Sequence, residues 1–193
     1  NSLYKDVIVF AINVVNVPII VVTYYHFYIN KTMKFSERMQ SAINEQINFE
    51  MFSANTYLSM SAYFAQQGLD GFAHWYYMQY KEELAHAEDM MHYVITRGGK
   101  VEIKAVAAVE TEFSSPLEIA EKAYHHECLV SEKIENIVRI ASEEKDMPSQ
   151  DFFWKYIREQ VEEEANATNL IERVRMAESA AILFLDKELA ARQ

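Results

Sequence analysis

Glycine and proline are confined to a few positions in this chain, and the intervals between those positions are long. Within residues 33–193 they occur at Gly68, Gly71, Gly98, Gly99, Pro116 and Pro148. Inside a helix glycine costs about 1 kcal/mol and proline about 3 kcal/mol, so intervals free of both suit long helices. The spacing predicts helices over 36–67, 70–98, 115–145 and 149–176, with a shorter one near 179–191. The fold class is therefore predicted to be all-α.

The connection between the second and third helices is the longest in this pattern. It runs from Gly99 to Ser115 and contains valine and alanine in an extended-looking segment. That length can cross from one end of a helical bundle to the other, whereas the other connections suit tight helical hairpins. Two hairpins joined by one long crossover give a four-helix bundle, with the short fifth helix appended.

One glutamate interrupts the apolar stripe of each long helix near its middle. These residues are Glu50, Glu83, Glu127 and Glu163, and His86 follows Glu83 by one turn. A carboxylate that faces a core is costly unless a charge compensates it. Two bound metal ions would supply that charge, and inward glutamates with a Glu-x-x-His pair are typical of di-iron carboxylate bundles.

Carboxylate oxygens and an imidazole nitrogen suit iron(II). We assign Glu50, Glu83 and His86 to a first ion, and Glu127 and Glu163 to a second, with Glu83 as the bridge. Two further side chains lie on the same stripes: Gln160 as a weak ligand or ligand-supporting group, and Tyr57 as a hydrogen-bond or electron donor.

His125 and His126 adjoin Glu127 and are interpreted as flanking residues. The alternative is a plain bundle whose inner glutamates face solvent or one another. That alternative must explain why four glutamates and one histidine lie on the four stripes.

The charge of the chain is strongly acidic. Aspartate and glutamate total 29 against 18 lysines and arginines, a formal net charge of −11. This balance disfavours a nucleic-acid partner and favours cations. Cys128 is the one cysteine, which excludes an internal disulfide and fits a reducing cytoplasm.

Residues 1–32 differ from the remainder, 33–193, which is predicted to form the di-iron domain. No Asp, Glu, Lys or Arg occurs from Val7 to Ile29, a length close to the about 20 apolar residues that cross a bilayer. Asn13, Asn16 and Pro18 weaken that interpretation. A targeting segment, a packed extension and upstream sequence before a start at Met33 are the alternatives. We favour the last, and expect no membrane partner unless residues 7–29 are a genuine anchor.

Five segments carry a resemblance to bacterial non-haem ferritins: 44–50, 81–86, 124–127, 159–164 and 184–189. The resemblance extends from Met33 to about Gln193 and implies a ferritin-like bundle. It implies oxidation of Fe(II) by O2 or H2O2 at two irons per subunit, and storage of ferric oxide inside a homo-oligomeric 24-mer shell. It also implies a third iron site, formed by Glu82, Glu159 and Glu162.

Two positions depart from the haem-containing relatives of this family. Asn166 stands where a second Glu-x-x-His would place its histidine, and Leu84 stands where those proteins keep the methionine that ligates haem. We therefore expect no haem, and a second iron that is held more weakly than the first.

Three other classes of function compete with iron storage. A di-iron oxidase or oxygenase of a small organic substrate normally has a more symmetric two-histidine site, against which Asn166 argues. A DNA-protecting mini-ferritin lacks the terminal short helix that residues 179–191 predict here. A scaffold bundle without activity is the remaining alternative.

Overall fold

Five helices form the described part of the chain, which contains no strand. They are α1 (Glu37–Gln66), α2 (Asp70–Thr96), α3 (Pro116–Glu144), α4 (Met147–Met176) and α5 (Ile182–Leu189). The computed structural model describes residues 35–177 and 181–191. Each predicted helix is present, with its ends within one turn of the predicted positions.

The helices pair as the lengths of their connections predict. α1 packs against α2, α3 packs against α4, and α1 also packs against α3, while α5 lies on α2 and α4. Residues 99–115 contain no helix or strand and form the long crossover between the two hairpins. The predicted four-helix bundle with a long crossover and a short fifth helix is confirmed.

Local capping explains where the two helices of the second hairpin, α3 and α4, begin. The Ser115 side chain accepts a hydrogen bond from the Glu118 amide at 3.2 Å, with Pro116 in the first turn of α3. α4 begins at Met147, two residues before the predicted start, because the Asp146 carboxylate accepts from the Ser149 amide and caps it. Asp146 also forms a two-pronged ion pair with Arg97, at 3.0 and 3.1 Å. That pair ties the end of α2 to the start of α4.

Side-chain amides of α1 bind the backbone of the crossover. Asn44 accepts from the Glu102 amide and donates to the Lys100 carbonyl, both at 2.8 Å. Asn48, one turn later, accepts from the Lys104 amide and donates to the Glu102 carbonyl. Asn44 and Asn48 are four residues apart on α1, a rise of about 6 Å, and their partners in the extended crossover are two residues apart, a rise of about 6.6 Å. The spacing of the asparagines therefore matches the spacing of the crossover backbone. The asparagines therefore fix the crossover along α1.

A residue of α5 caps the start of α2. The residue before α2, Leu69, makes no side-chain cap, and the Asp186 carboxylate instead accepts from the Phe72 amide at 2.9 Å. Gly71 makes this approach possible, because a Cβ there would lie 1.6 Å from the Asp186 carbonyl oxygen. The close contact holds α5 against the bundle.

Gly71→Ala is expected to dislodge α5 while the four long helices remain folded. The added methyl cannot coexist with the Asp186 carbonyl, and overpacking of this kind typically costs about 1–3 kcal/mol. Amide hydrogen exchange over residues 182–189 should accelerate in the variant. Gly98→Asn is the control, since Gly98 has positive φ and nothing within 4 Å, and asparagine tolerates that backbone. Unchanged exchange in Gly71→Ala would contradict the capping role.

Stacked aromatic rings fill the bundle core between the middle of the helices and α5. Phe64 stacks on Phe72 with ring centroids 4.8 Å apart and on Tyr76 at 5.4 Å. Tyr57 continues the stack at 6.1 Å from Tyr76. All four rings are fully buried. This packing fixes the Tyr57 ring, whose hydroxyl donates a hydrogen bond to the Glu127 carboxylate at the middle of the bundle.

No helix within 35–177 or 181–191 is both long and apolar enough to cross a membrane. The predictions made for residues 1–32 lie outside the described residues.

Candidate metal centre

Three of the predicted ligands meet at the middle of the bundle. One potential ligand atom from each of Glu50, Glu83 and His86 lies within 4.8 Å of the other two. Glu50 and Glu83 are only 1% and 4% exposed, and His86 is largely covered. We call these three residues the inner cluster. Their donor set, two carboxylates and an imidazole, is one that iron(II) and similar divalent ions bind.

The two carboxylates of the inner cluster are poorly satisfied by protein groups. Among the described residues, Glu50 Oε2 and Glu83 Oε2 have no hydrogen-bond partner, although Glu83 Oε2 lies at ion-pair distance from His86 Nδ1. Burial raises the pKa of both carboxyls, and the neighbouring Glu83 raises the pKa of Glu50 further. Unpaired buried carboxylates destabilise a fold unless protons or cations neutralise them. The orphaned oxygens therefore fit a bound cation.

His86 lies between the carboxylates of Glu83 and Glu159. Its Nδ1 is 3.5 Å from Glu83 Oε2, and its Nε2 is 3.3 Å from Glu159 Oε1. Burial would lower the pKa of His86, but Glu159 and Glu83 outweigh burial and raise that pKa to about 11. When the imidazole is neutral, a proton on Nε2 shared with Glu159 leaves Nδ1 free to bind a metal on the Glu83 side.

Glu127 is buried on α3 and held by two donors. The Tyr57 hydroxyl donates to Oε1, and Gln160 Nε2 donates to Oε2 at 3.0 Å. Burial raises the pKa of Glu127 to about 7, although both hydrogen bonds oppose that rise. Gln160 thus presents its amide nitrogen to Glu127, which makes it a support for that carboxylate in this structure. Tyr57 contacts the same group, as its position on the stripe suggests.

Glu163 lies on α4 at the edge of the same layer and is only partly buried. Gln79 Nε2 donates to Glu163 Oε2 at 3.1 Å. Glu163 is close enough to Glu127 to raise the pKa of that carboxyl. Glu127 and Glu163 lie outside the inner cluster, so the structure brings three of the five predicted ligands into metal-binding distance and holds the other two beside them.

A second group of ligand atoms lies further out on α2 and α4. Glu82, His86 and Glu159 also have ligand atoms within 4.8 Å of one another; we call them the outer cluster. The predicted third site contains Glu82 and Glu159, whereas Glu162 is exposed and lies outside this cluster. His86 takes part in both clusters.

His126 differs from its interpretation as a flanking residue. It is buried, its Nε2 is 2.7 Å from Ser53 Oγ, and its ring stacks on Phe49 at 5.3 Å and meets the edge of Tyr57. Burial lowers the pKa of His126 to about 4. α3 packs against both α1 and α4, so its buried face is wide enough to include His126 as well as Glu127.

Metal binding is expected to strengthen as the pH rises from about 5 to about 7. Glu127 is a predicted ligand, and a carboxyl must be ionised to bind a metal. Below the Glu127 pKa of about 7 the metal would have to displace a proton, so affinity is expected to rise up to about tenfold per pH unit for each proton displaced. Co²⁺ titrations at several pH values measure this. Glu127→Gln, which has no carboxyl proton to lose, should flatten the profile by about one proton. A flat wild-type profile would contradict the coupling.

The bundle and its buried carboxylate layer match the ferritin-like class of proteins, and comparison with known proteins agrees. The family model described as the ferritin-like domain matches residues 40–177. The chain belongs to this family.

The chain is similar to curated bacterial non-heme ferritins and to a solved ferritin structure. It is 46% identical over 157 residues to a bacterial non-heme ferritin of Bacteroides fragilis, covering 81% of this chain and 99% of the relative. A bacterial non-heme ferritin of Staphylococcus aureus is 35% identical over 159 residues, covering 81% and 96%. The open pore ferritin of Archaeoglobus fulgidus superposes with a TM-score of 0.81 at 45% identity, covering 82% and 98%.

Proposed function

We propose that this protein stores iron by oxidising Fe(II) at a two-iron centre in each subunit. The observation that carries the proposal is the pair of buried carboxylates, Glu50 and Glu83. Their Oε2 atoms have no hydrogen-bond partner within the described residues, and both carboxylates lie against His86. Such a pair costs stability in the absence of a cation, so its presence is best explained by a bound metal.

Each of the predicted ligands at the middle of the bundle has a role in this proposal. Glu50, Glu83 and His86 hold the first iron; Glu127 and Glu163 hold the second, and Glu83 bridges both. Gln160 supports Glu127 or binds weakly itself. Two Fe(II) ions release two electrons, which is the number that reduces O2 to H2O2 or H2O2 to water. The protein's contribution is to hold two iron substrates together so that both electrons are available at once.

Tyr57 is proposed to take part through its hydrogen bond to Glu127. The hydroxyl orients that carboxylate, and the phenol is an oxidisable group next to the second iron position. The nearly perpendicular His126 ring and the stacked Tyr76 ring restrict the movement of the Tyr57 ring. A fixed donor beside the irons suits either orientation of the ligand or supply of an electron.

We propose that Glu82 and Glu159 of the outer cluster hold a third iron. The exposed Glu162 would supply a third carboxylate to this ion. Glu159 then has two roles, because it also orients His86. An ion bound to Glu159 would compete with that hydrogen bond. Iron at the outer position is therefore expected to loosen the first inner iron, which favours passage of oxidised iron onward.

Storage requires an enclosed space, which one subunit does not provide. We propose that twenty-four copies assemble into a hollow cytoplasmic shell in which ferric oxide accumulates. The net charge of −11 suits a protein that attracts iron cations. Haem has no place in the proposal, since Leu84 and Asn166 lack the ligand types that it would need.

Aerobic addition of Fe(II), followed near 310 nm alongside native mass, tests the proposal. Rapid ferric absorbance on a shell-sized particle, followed by mineral growth beyond a few irons per subunit, is the expected result. A small oligomer that binds two irons without mineralising would instead indicate a di-iron oxidase of an organic substrate. Absence of oxidation would leave a scaffold bundle.

A further inference from the structure

A glutamine lies one turn before the ligand glutamate on three of the four helices. Gln46 precedes Glu50 on α1, Gln79 precedes Glu83 on α2, and Gln160 precedes Glu163 on α4. These glutamines are buried, with exposed fractions of 2%, 2% and 6% respectively. We call them the glutamine layer. A buried amide needs partners, and its partners here are the carboxylates of the centre.

Each member of the layer donates to a different carboxylate. Gln46 Nε2 donates to Glu50 on its own helix at 2.8 Å. Gln160 reaches Glu127 on α3, and Gln79 reaches Glu163 on α4. On Glu83, the proposed bridge, the Oε2 atom has no hydrogen-bond donor among the described residues. The three non-bridging carboxylates are therefore held by amides, whereas Glu83 Oε2 lies beside the His86 imidazole, 3.5 Å from Nδ1.

We propose that Gln79 is a positioning residue for the second iron, acting through Glu163. The inference rests on the proposed two-iron centre. Glu163 is the partly exposed carboxylate of the ligand set. A glutamate side chain on a helix surface samples several rotamers, which costs entropy when it must bind a metal. The Gln79 amide crosses from α2 to α4 and restrains that carboxylate beside the centre.

The other end of Gln79 shows that stability alone does not explain this residue. Its Oε1 is buried and has no hydrogen-bond partner within the described residues, and the same holds for the Tyr76 hydroxyl one turn earlier on α2. A buried acceptor without a partner is destabilising. An apolar side chain of similar length would avoid that cost, so the donor end of the amide must serve another purpose, the restraint of Glu163.

Anaerobic Co²⁺ titration, followed by the visible absorption of the bound ion, separates the two ions. Gln79→Met keeps the length of the side chain and removes the donor. We expect it to weaken the second Co²⁺ by about 10- to 100-fold, the usual effect of losing a ligand's hydrogen-bond partner, and to leave the first Co²⁺ and the melting temperature of the metal-free protein unchanged or higher. Gln46→Met, an equally buried control that supports Glu50, should weaken the first Co²⁺ instead.

Glu163→Gln provides the second test. If Gln79 acts through Glu163, adding Gln79→Met to Glu163→Gln should weaken the second ion by no more than about twofold further. Equal weakening of both ions in both methionine variants, or unchanged constants in Gln79→Met, would overturn the inference while leaving the two-iron centre intact. A wild-type protein that binds a single Co²⁺ would overturn the proposed function itself.

Discussion

Glu83→Ala is expected to abolish rapid Fe(II) oxidation, with the initial rate falling by more than about 100-fold. Glu83 is the proposed ligand of both ions, and removing a group that merely supports a ligand already costs about 10- to 100-fold. Because Glu83 is buried beside another unsatisfied carboxylate, its removal relieves repulsion and should leave the fold intact. Stopped-flow absorbance at one or two irons per subunit measures the effect, and circular dichroism checks the fold.

Glu82→Ala is the matched control for this loss. Glu82 is the neighbouring residue on α2, but it belongs to the outer cluster and not to the inner one. The control should oxidise its first irons at close to the wild-type rate and differ only at higher loading. Wild-type oxidation by Glu83→Ala, or equal inactivation of both variants, would contradict the assignment of Glu83 as the bridge.

Glu50→Gln is expected to stabilise the metal-free protein in a way that depends on pH. Burial, and then Glu83, hold the pKa of Glu50 well above the ordinary value of 4.5. A carboxyl whose pKa is raised by folding costs no stability below about pH 4.5; the cost grows as pH rises toward the folded-state pKa. At about pH 8 the variant should gain about 1–3 kcal/mol, or about 2–10 °C in melting temperature. At about pH 4 the gain should vanish.

Thermal unfolding of the metal-free proteins at both pH values measures this difference. Gln46 still has an oxygen to donate to after the substitution, so the packing of the layer is preserved. Glu132→Gln, an exposed change on α3, should show no comparable gain. Destabilisation by Glu50→Gln at both pH values would mean that the carboxyl contributes to the fold and is not retained for metal.

The helices could be predicted because their boundaries depend on local chemistry. Glycine and proline mark the ends, and Ser115 caps α3 through its own neighbours in sequence. The position at which α5 packs on the bundle could not be predicted in this way. It depends on Asp186 reaching the start of α2, a contact between residues 114 positions apart. The asparagines that hold the crossover are likewise polar residues whose partners lie far along the chain.

The burial of the central carboxylates could be predicted in part. Helical periodicity determines that Glu50, Glu83 and Glu127 face inward, and all three are buried. Periodicity does not determine the exact rotation of each helix about its own axis within the bundle. It therefore does not predict that Glu163 is only partly buried or that His126 is buried. Gln79 and Gln46 lie on the predicted stripes, but their carboxylate partners depend on side-chain geometry that only the packed bundle defines.

Anomalous diffraction from crystals soaked anaerobically in Fe(II) tests the two-iron centre most directly. Two iron peaks per subunit are expected at mid-bundle, about 3.5–4 Å apart, as in other two-metal sites. Glu83 should lie between them, with His86 on the first and Glu163 on the second. A single peak in the inner cluster, or iron at the outer cluster alone, would contradict the centre proposed for this chain.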